Sequence, residues 1–189
     1  MGTLLKQFEI GGSQPGLDQD SEEIGSFALA WAGNIPRAES LVNDLGRRFP
    51  QDTLVQSVVL PTVRAQIELS RGIPARGIDL LRTAAPYELT GVSLMGCIYP
   101  AYVRGETYLA AREGAAAAAE FQKILDHRGL VGACETGALA HLQLGRAYAL
   151  QGDTAKAKAA YQDYLTLWKD ADPDIPILKQ AKAEYAKLQ

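Results

Sequence analysis

Three stretches carry side chains whose spacing could do chemistry. Asp170, Asp172 and Asp174 stand at the first, third and fifth positions of a would-be calcium loop. Such a loop needs glycine at its sixth position for the sharp turn and a bidentate glutamate at its twelfth. Those positions hold Ile175 and Ala181, so the run reads as a linker leading into a helix. Gly132-Ala-Cys-Glu-Thr-Gly137 has the outer glycines of a phosphate loop, but Ala138 and Leu139 follow where lysine and a hydroxyl residue are needed, and no strand precedes it. His127 and His141 are the two histidines, with no HxxxH or cysteine pair beside them, which argues against a metal centre. His141 reads instead as interhelical packing. No Gly-x-Ser-x-Gly elbow occurs. The carboxylates are spread as on solvated helix faces. The sequence predicts no catalytic set, no metal and no cofactor. Cys97 and Cys134, 37 residues apart, form no CxxC pair and read as two small buried or half-buried thiols, too few for a disulfide framework.

The chain behind these residues has 189 residues, 47 % of them apolar and 22 % charged, as in globular proteins. Alanine occurs 29 times and aromatic residues make up only 7 %, so helices must meet through small side chains. The net charge is −3, with 8 Lys/Arg against 11 Asp/Glu in residues 1–94 and 11 against 11 in residues 95–189. Neither half has the basic excess that a phosphate backbone demands, which argues against nucleic acid. No run reaches the ~18 apolar residues of a membrane span, and Met1-Gly2-Thr3-Leu4-Leu5-Lys6 lacks a signal peptide's apolar region. The chain as given reads as soluble and cytoplasmic, or extracytoplasmic if it follows a membrane span in a longer protein.

The elements that would position any site come from a 40-residue echo. Gly105-Glu106-Thr107-Tyr108 aligns with Gly145-Arg146-Ala147-Tyr148. At the same offset Ala117 meets Ala157, Phe121 meets Tyr161 and Ile124 meets Tyr164. Earlier in the chain, Ala65 and Ser26 fall at the anchor position, Gly77 and Ala38 at the second small position, and Leu81 and Val42 at the large one. Each unit reads as two helices, in which a small residue on one lets the axes approach and a large residue on the other fills the space above it. Turns are predicted at Gly33-Asn34, Arg71-Gly72, Glu113-Gly114 and Gln151-Gly152-Asp153. Pro36 and Pro74 mark helix starts, Asp20-Ser21-Glu22-Glu23 resembles a capping box, and His127-Arg128-Gly129 predicts a helix stop with a left-handed glycine. Pro61 and Pro100 each start or kink a helix. A kink is favoured for Pro61 because Thr53–Ser57 already looks helical. Residues 85–94 break the rhythm and predict a longer surface connection. No strand alternation persists.

Leu144-Gly145, Tyr148, Ala157 and Tyr161 resemble the tetratricopeptide pattern of Leu-Gly, Tyr, Ala and Phe/Tyr, and Phe49-Pro50 resembles the proline that closes such a repeat. The period of 39–40 replaces the usual 34, His141 stands at the Trp position, Glu68 where Tyr is usual, and Val42 where Phe/Tyr is usual. Tyr99-Pro100 through Tyr108-Leu109-Ala110-Ala111, Glu120 through Gly129, and Gly145 to Gln189 look like the tetratricopeptide tails of multidomain, mainly acidobacterial, serine/threonine kinases. The likeness covers residues 26–189. It implies an all-α, right-handed superhelix of about four tetratricopeptide-like helix pairs, in units 21–50, 52–86, 95–129 and 135–168. An amphipathic helix over 174–188, with Leu178, Ala181, Tyr185 and Leu188 on one stripe, would cap the array. Residues 1–20 would form a partly ordered N-terminal extension.

The register also implies a concave partner surface along the first helix of each unit, at exposed positions three before, one after, and four or five after the anchor. Its informative members are Trp31, Gln66, Tyr102, Glu106 and Arg146, with Leu142 among the apolar ones. Aromatic and arginine side chains are common interface anchors. Glu106 and Arg146 could instead pair with each other across neighbouring helices. Tetratricopeptide cochaperones clamp a C-terminal carboxylate with Lys, Asn and Arg at such positions. Only Arg146 has that character here, which argues against that ligand. The reading is a non-catalytic scaffold for a protein or peptide ligand, without its kinase part. A small-molecule-sensing helical domain and a structural or homodimerising array are the alternatives.

Overall fold

The computed structural model describes residues 19–90 and 97–189. The expected extension therefore lies outside the described residues, Gln19 and Asp20 excepted. So do residues 91–94 of the expected connection and the first two residues of the third unit. The described residues form ten α-helices and one π-helical segment, with no strand among them. In chain order they are α1 (Gln19–Trp31), α2 (Ile35–Arg48), a π segment (Val55–Val59) running into α3 (Leu60–Ser70), α4 (Pro74–Leu81) and α5 (Tyr99–Ala110). Then follow α6 (Gly114–Asp126), α7 (Arg128–Val131), α8 (Glu135–Leu150), α9 (Thr154–Leu167) and α10 (Pro176–Ala186).

One backbone device recurs at four places. The amide of Asn34 donates to the Leu29 carbonyl (2.9 Å), that of Ile73 to Glu68 (2.9 Å), that of Glu113 to Tyr108 (2.8 Å) and that of Asp153 to Tyr148 (3.0 Å). One residue earlier, Gly33, Gly72, Arg112 and Gly152 donate to Ala30, Leu69, Leu109 and Ala149. These are the paired bonds of a Schellman turn, which ends a helix on a left-handed residue. Gly33, Gly72 and Gly152 have φ of 80°, 74° and 78°. In the third turn Arg112 takes the left-handed position at φ 62°, while Gly114 is held for space: a Cβ there would lie 2.9 Å from the Ala147 carbonyl oxygen. After the fourth turn the Asp153 carboxylate caps α9 by accepting from the Lys156 amide (3.1 Å).

Each turn joins two helices that pack together: α1 with α2, α3 with α4, α5 with α6, and α8 with α9. The leading helices α1, α3, α5 and α8 also touch in succession, and α2, α4 and α6 each pack on the leading helix that follows. The small-to-large logic holds at atomic level. A Cβ on Gly105 would come within 2.6 Å of the Phe121 ring, and one on Gly145 within 2.8 Å of the Tyr161 ring. In the second pair Gly77 lies against the Ala65 carbonyl and Thr107. In the first, Ser26, Ala38 and Val42 are buried. α10 lays Leu178 and Ala181 into the C-terminal core, with Tyr185 and Leu188 beside them.

Four local expectations are refined or corrected. Asp20 lies inside α1 and not at a cap. Gly129 is not a left-handed stop; it sits within α7, and Gly132 carries the positive φ of 56°. Pro100 starts α5, whereas Pro61 lies inside a continuous helix. Proline has no N–H and its ring clashes with the carbonyl one turn back. The chain widens there instead of breaking: the Leu60 amide bonds to the Val55 carbonyl in a π turn, and the Thr62 hydroxyl donates to the Val58 carbonyl (2.6 Å). In the 85–94 connection, Glu88 is not a surface residue but turns inward. Arg104 (2.8 Å) and Lys123 (2.9 Å) bond its carboxylate, and both also reach Glu120. One buried and one partly buried carboxylate against two cations leave the cluster neutral, which is what makes the burial of Glu88 tolerable.

Candidate functional site

The six residues named from the register lie along the leading helices, but not equally open. Gln66, Tyr102 and Leu142 are buried, at 5 %, 1 % and 0 % exposure, so the expectation of exposed positions fails for them. The reason is the close succession of α1, α3, α5 and α8: a position that would face a groove in a loosely wound array here faces the next helix. Trp31, Glu106 and Arg146 remain part-exposed.

Near the N-terminal end the rings close on one another. Trp31 meets Tyr102 at 5.7 Å and Tyr99 at 6.3 Å, and Phe27 meets Trp31 at 5.4 Å and Tyr99 at 4.4 Å between centroids. Aromatic side chains of α1 thus reach α5 past the smaller residues of α3, in the tilted and edge-on geometries that rings prefer. The Tyr99 hydroxyl donates to Glu135 (2.6 Å).

Toward the C-terminal end a polar chain links four helices, α5, α8, α9 and α10. The Gln143 amide donates to Glu106 (2.8 Å) and to the Tyr102 hydroxyl (3.1 Å), and its oxygen accepts from Arg146 (3.2 Å). Arg146 grips Glu184 of α10 through two nitrogens (2.8 and 3.0 Å), and the Tyr161 hydroxyl donates to the same carboxylate (2.8 Å). Glu106 and Arg146 therefore do not pair directly. Gln143 stands between them, and Glu184 takes the arginine. Burial opposes the charge on Glu184, but the bonds from Arg146 and Tyr161 outweigh it and hold its pKa below the usual carboxylate value. Glu106 has no such counter-charge. Burial pushes its pKa up to about 7, against the hydrogen bonds from Tyr102 and Gln143 and the charge of Arg146. Gln66, at the equivalent position on α3, has a buried side-chain oxygen without a partner.

A second concavity lies elsewhere. α6, α7, α8 and α9 enclose a cleft of about 520 Å³, lined chiefly by Ile124, Leu125, Val131, Gly137, Ala138 and Leu167, with Arg128, His141, Asp163 and Thr166 as its polar members. His141, expected as interhelical packing, is half-buried in this wall, with Nδ1 3.7 Å from the Asp163 carboxylate and no hydrogen bond. Burial lowers its pKa, the Asp163 charge acting against this and the Arg128 charge with it.

The thiol expectation is overturned. Cys97 and Cys134 form a disulfide, with Cα atoms 5.5 Å apart. Their separation of 37 residues is close to one repeat, so stacking successive units brings the approaches to α5 and α8 side by side. The Thr136 hydroxyl donates to the Cys97 carbonyl (2.7 Å) across the same junction. That near-match to the period was the available signal. Glu184 was missed as well, although it sits one place before Tyr185 on the expected stripe of α10. Among the described residues no three His, Cys, Asp or Glu side chains gather as a metal site. No described helix is long and apolar enough to cross a membrane. Comparison with family models, with curated proteins and with solved structures gave no match.

Proposed function

We propose that this chain is a non-catalytic interaction module, a right-handed superhelix of four tetratricopeptide-like helix pairs capped by α10. It serves as the regulatory part of a larger bacterial signalling protein of the serine/threonine kinase type, and its ligand is a protein or peptide. The observation that carries this reading is the same Schellman turn at four places 39–40 residues apart, joining pairs whose leading helices touch in succession. An array of that kind offers one long surface built from every unit. Trp31, Glu106 and Arg146 are the part-exposed members of that line, and Gln66, Tyr102 and Leu142 support them from beneath. The disulfide favours a place outside the cytoplasm, because such bonds persist in oxidising compartments.

A photo-crosslinking residue at Ala110, on the leading-helix side, should capture a defined protein partner in the producing cells. The same residue at Asp79 on α4 should not. Equal capture at both positions, or capture at Asp79 alone, would place the partner elsewhere. Alkylation in intact cells checks the compartment: both cysteines should resist the reagent until a reductant is added.

A further inference from the structure

We propose that the cleft between α6, α7, α8 and α9 binds a small zwitterion with an apolar side chain, of the kind a free aliphatic or aromatic amino acid presents. This site lies apart from the leading-helix line and does not rest on the interaction-module reading. Its volume of about 520 Å³ falls within the range of small-molecule sites. The space has a structural origin. The short helix α7 and the loop after it are inserted between the third and fourth helix pairs, and small residues face them from α8. Gly137 is needed for that approach, since a Cβ there would lie 3.0 Å from Val131. The aliphatic walls end at Leu167, a lip residue 60 % exposed.

The polar members decide the ligand's chemistry. Arg128 and Asp163 are both exposed, line the same cleft, and among the described residues neither has an ion-pair partner of opposite fixed charge. The less exposed arginines Arg104 and Arg146 are met, the first by Glu88 and Glu120 and the second by Glu184. His141 supplies no lasting charge between them, because burial holds it toward its neutral form. A purely anionic ligand would find Asp163 against it, and a purely cationic one Arg128. A molecule with both charges on one small head group satisfies both, and its side chain covers Ile124, Leu125, Val131 and Leu167. Cys134 also lines the cleft, so the disulfide to Cys97 fixes that wall.

The test is calorimetric and NMR titration of the oxidised chain with L-phenylalanine and L-leucine, against hydrocinnamate, phenethylamine and glycine. Both amino acids should bind saturably, with shifts at Val131, Ala138 and His141. Glycine, which lacks the side chain, should not bind. Hydrocinnamate and phenethylamine, each missing one charge, should bind about tenfold more weakly, as the loss of one charge-assisted contact implies. Arg128→Gln should weaken phenylalanine by about the same factor and leave phenethylamine unchanged or tighter, and Asp163→Asn should likewise weaken phenylalanine and leave hydrocinnamate unchanged or tighter. Both side chains are exposed, so the variants should keep the parent's melting temperature. Absence of saturable binding, analogues that bind as tightly as phenylalanine, or variants with unaltered affinity would each overturn the proposal.

Discussion

Glu106 is the residue whose environment most constrains its chemistry. Its pKa near 7 arises from burial, because the nearest cation, Arg146, is already committed to Glu184. A carboxyl whose folded pKa lies above its unfolded value of 4.5 holds its proton more tightly when folded. Between pH 4.5 and 7 the folded chain therefore binds more protons than the unfolded one, and stability falls as pH rises through that window. Tyr102, Arg146, Tyr161 and Glu184 are the other titratable groups along the same chain of bonds; the tyrosines and the arginine are raised and Glu184 is lowered from their ordinary values, so none of the four changes charge in the folded chain over this range. Glu106→Gln keeps the shape and removes the charge. It should raise unfolding stability at pH 8 by about 2 kcal/mol and alter it little at pH 4. Urea denaturation at the two pH values checks this, and an equal effect at both would mean that desolvation is not the cause.

At the scale of elements, the contacts between paired helices are set by glycine against aromatic rings. Gly145→Leu should cost about 2–4 kcal/mol, because its Cβ alone would fall 2.8 Å from the Tyr161 ring. Tyr161 cannot swing away freely, as its hydroxyl is tied to Glu184. A shift in the denaturation midpoint without a change in slope is the expected reading. The disulfide acts on the same scale by joining the approach to α5 to the start of α8. It closes a loop of 37 residues, for which chain entropy gives about 4 kcal/mol of stabilisation. Cys97→Ser with Cys134→Ser, or reduction of the parent chain, should lower the melting temperature by a similar amount in each case. If only the double substitution does so, the loss comes from side-chain packing and not from the cross-link.

At the scale of the whole molecule, α10 is the element that closes the C-terminal end. It buries Leu178 and Ala181 against the last core and, among the described residues, supplies the only carboxylate bonded to Arg146. Ending the chain after Asp174 uncovers that core and leaves Arg146 half-buried beside Tyr161 without its counter-ion. A stable array needs a polar-faced cap at each end. The loss should be about 3–5 kcal/mol, from apolar burial together with a broken ion pair. Hydrogen exchange should show the effect first in α8 and α9, whereas α1 to α3, which share a separate apolar cluster, should keep their protection. Uniform loss of protection along the chain would mean that the array unfolds as one unit.

The helices and their turns were legible in the sequence because they are local. Gly33, Gly72 and Gly152 end helices through their own backbone, Pro36 and Pro74 fit only a first turn, and a glycine forty residues from its echo announces the same close contact twice. The all-α class and the small-to-large pairing of Gly105 with Phe121 and Gly145 with Tyr161 follow from those facts alone. What the sequence did not carry depends on how tightly one pair stacks on the next. That closeness buries Gln66, Tyr102 and Leu142 and lets rings from α1 touch α5. It also brings Cys97 within bonding distance of Cys134 and carries Glu184 to Arg146 in place of Glu106. The cleft beside α7 likewise depends on how α6, α7, α8 and α9 meet. Periodicity names the face on which a side chain stands. Only the packing of distant segments decides whether that face meets solvent, a neighbouring helix or an opposite charge.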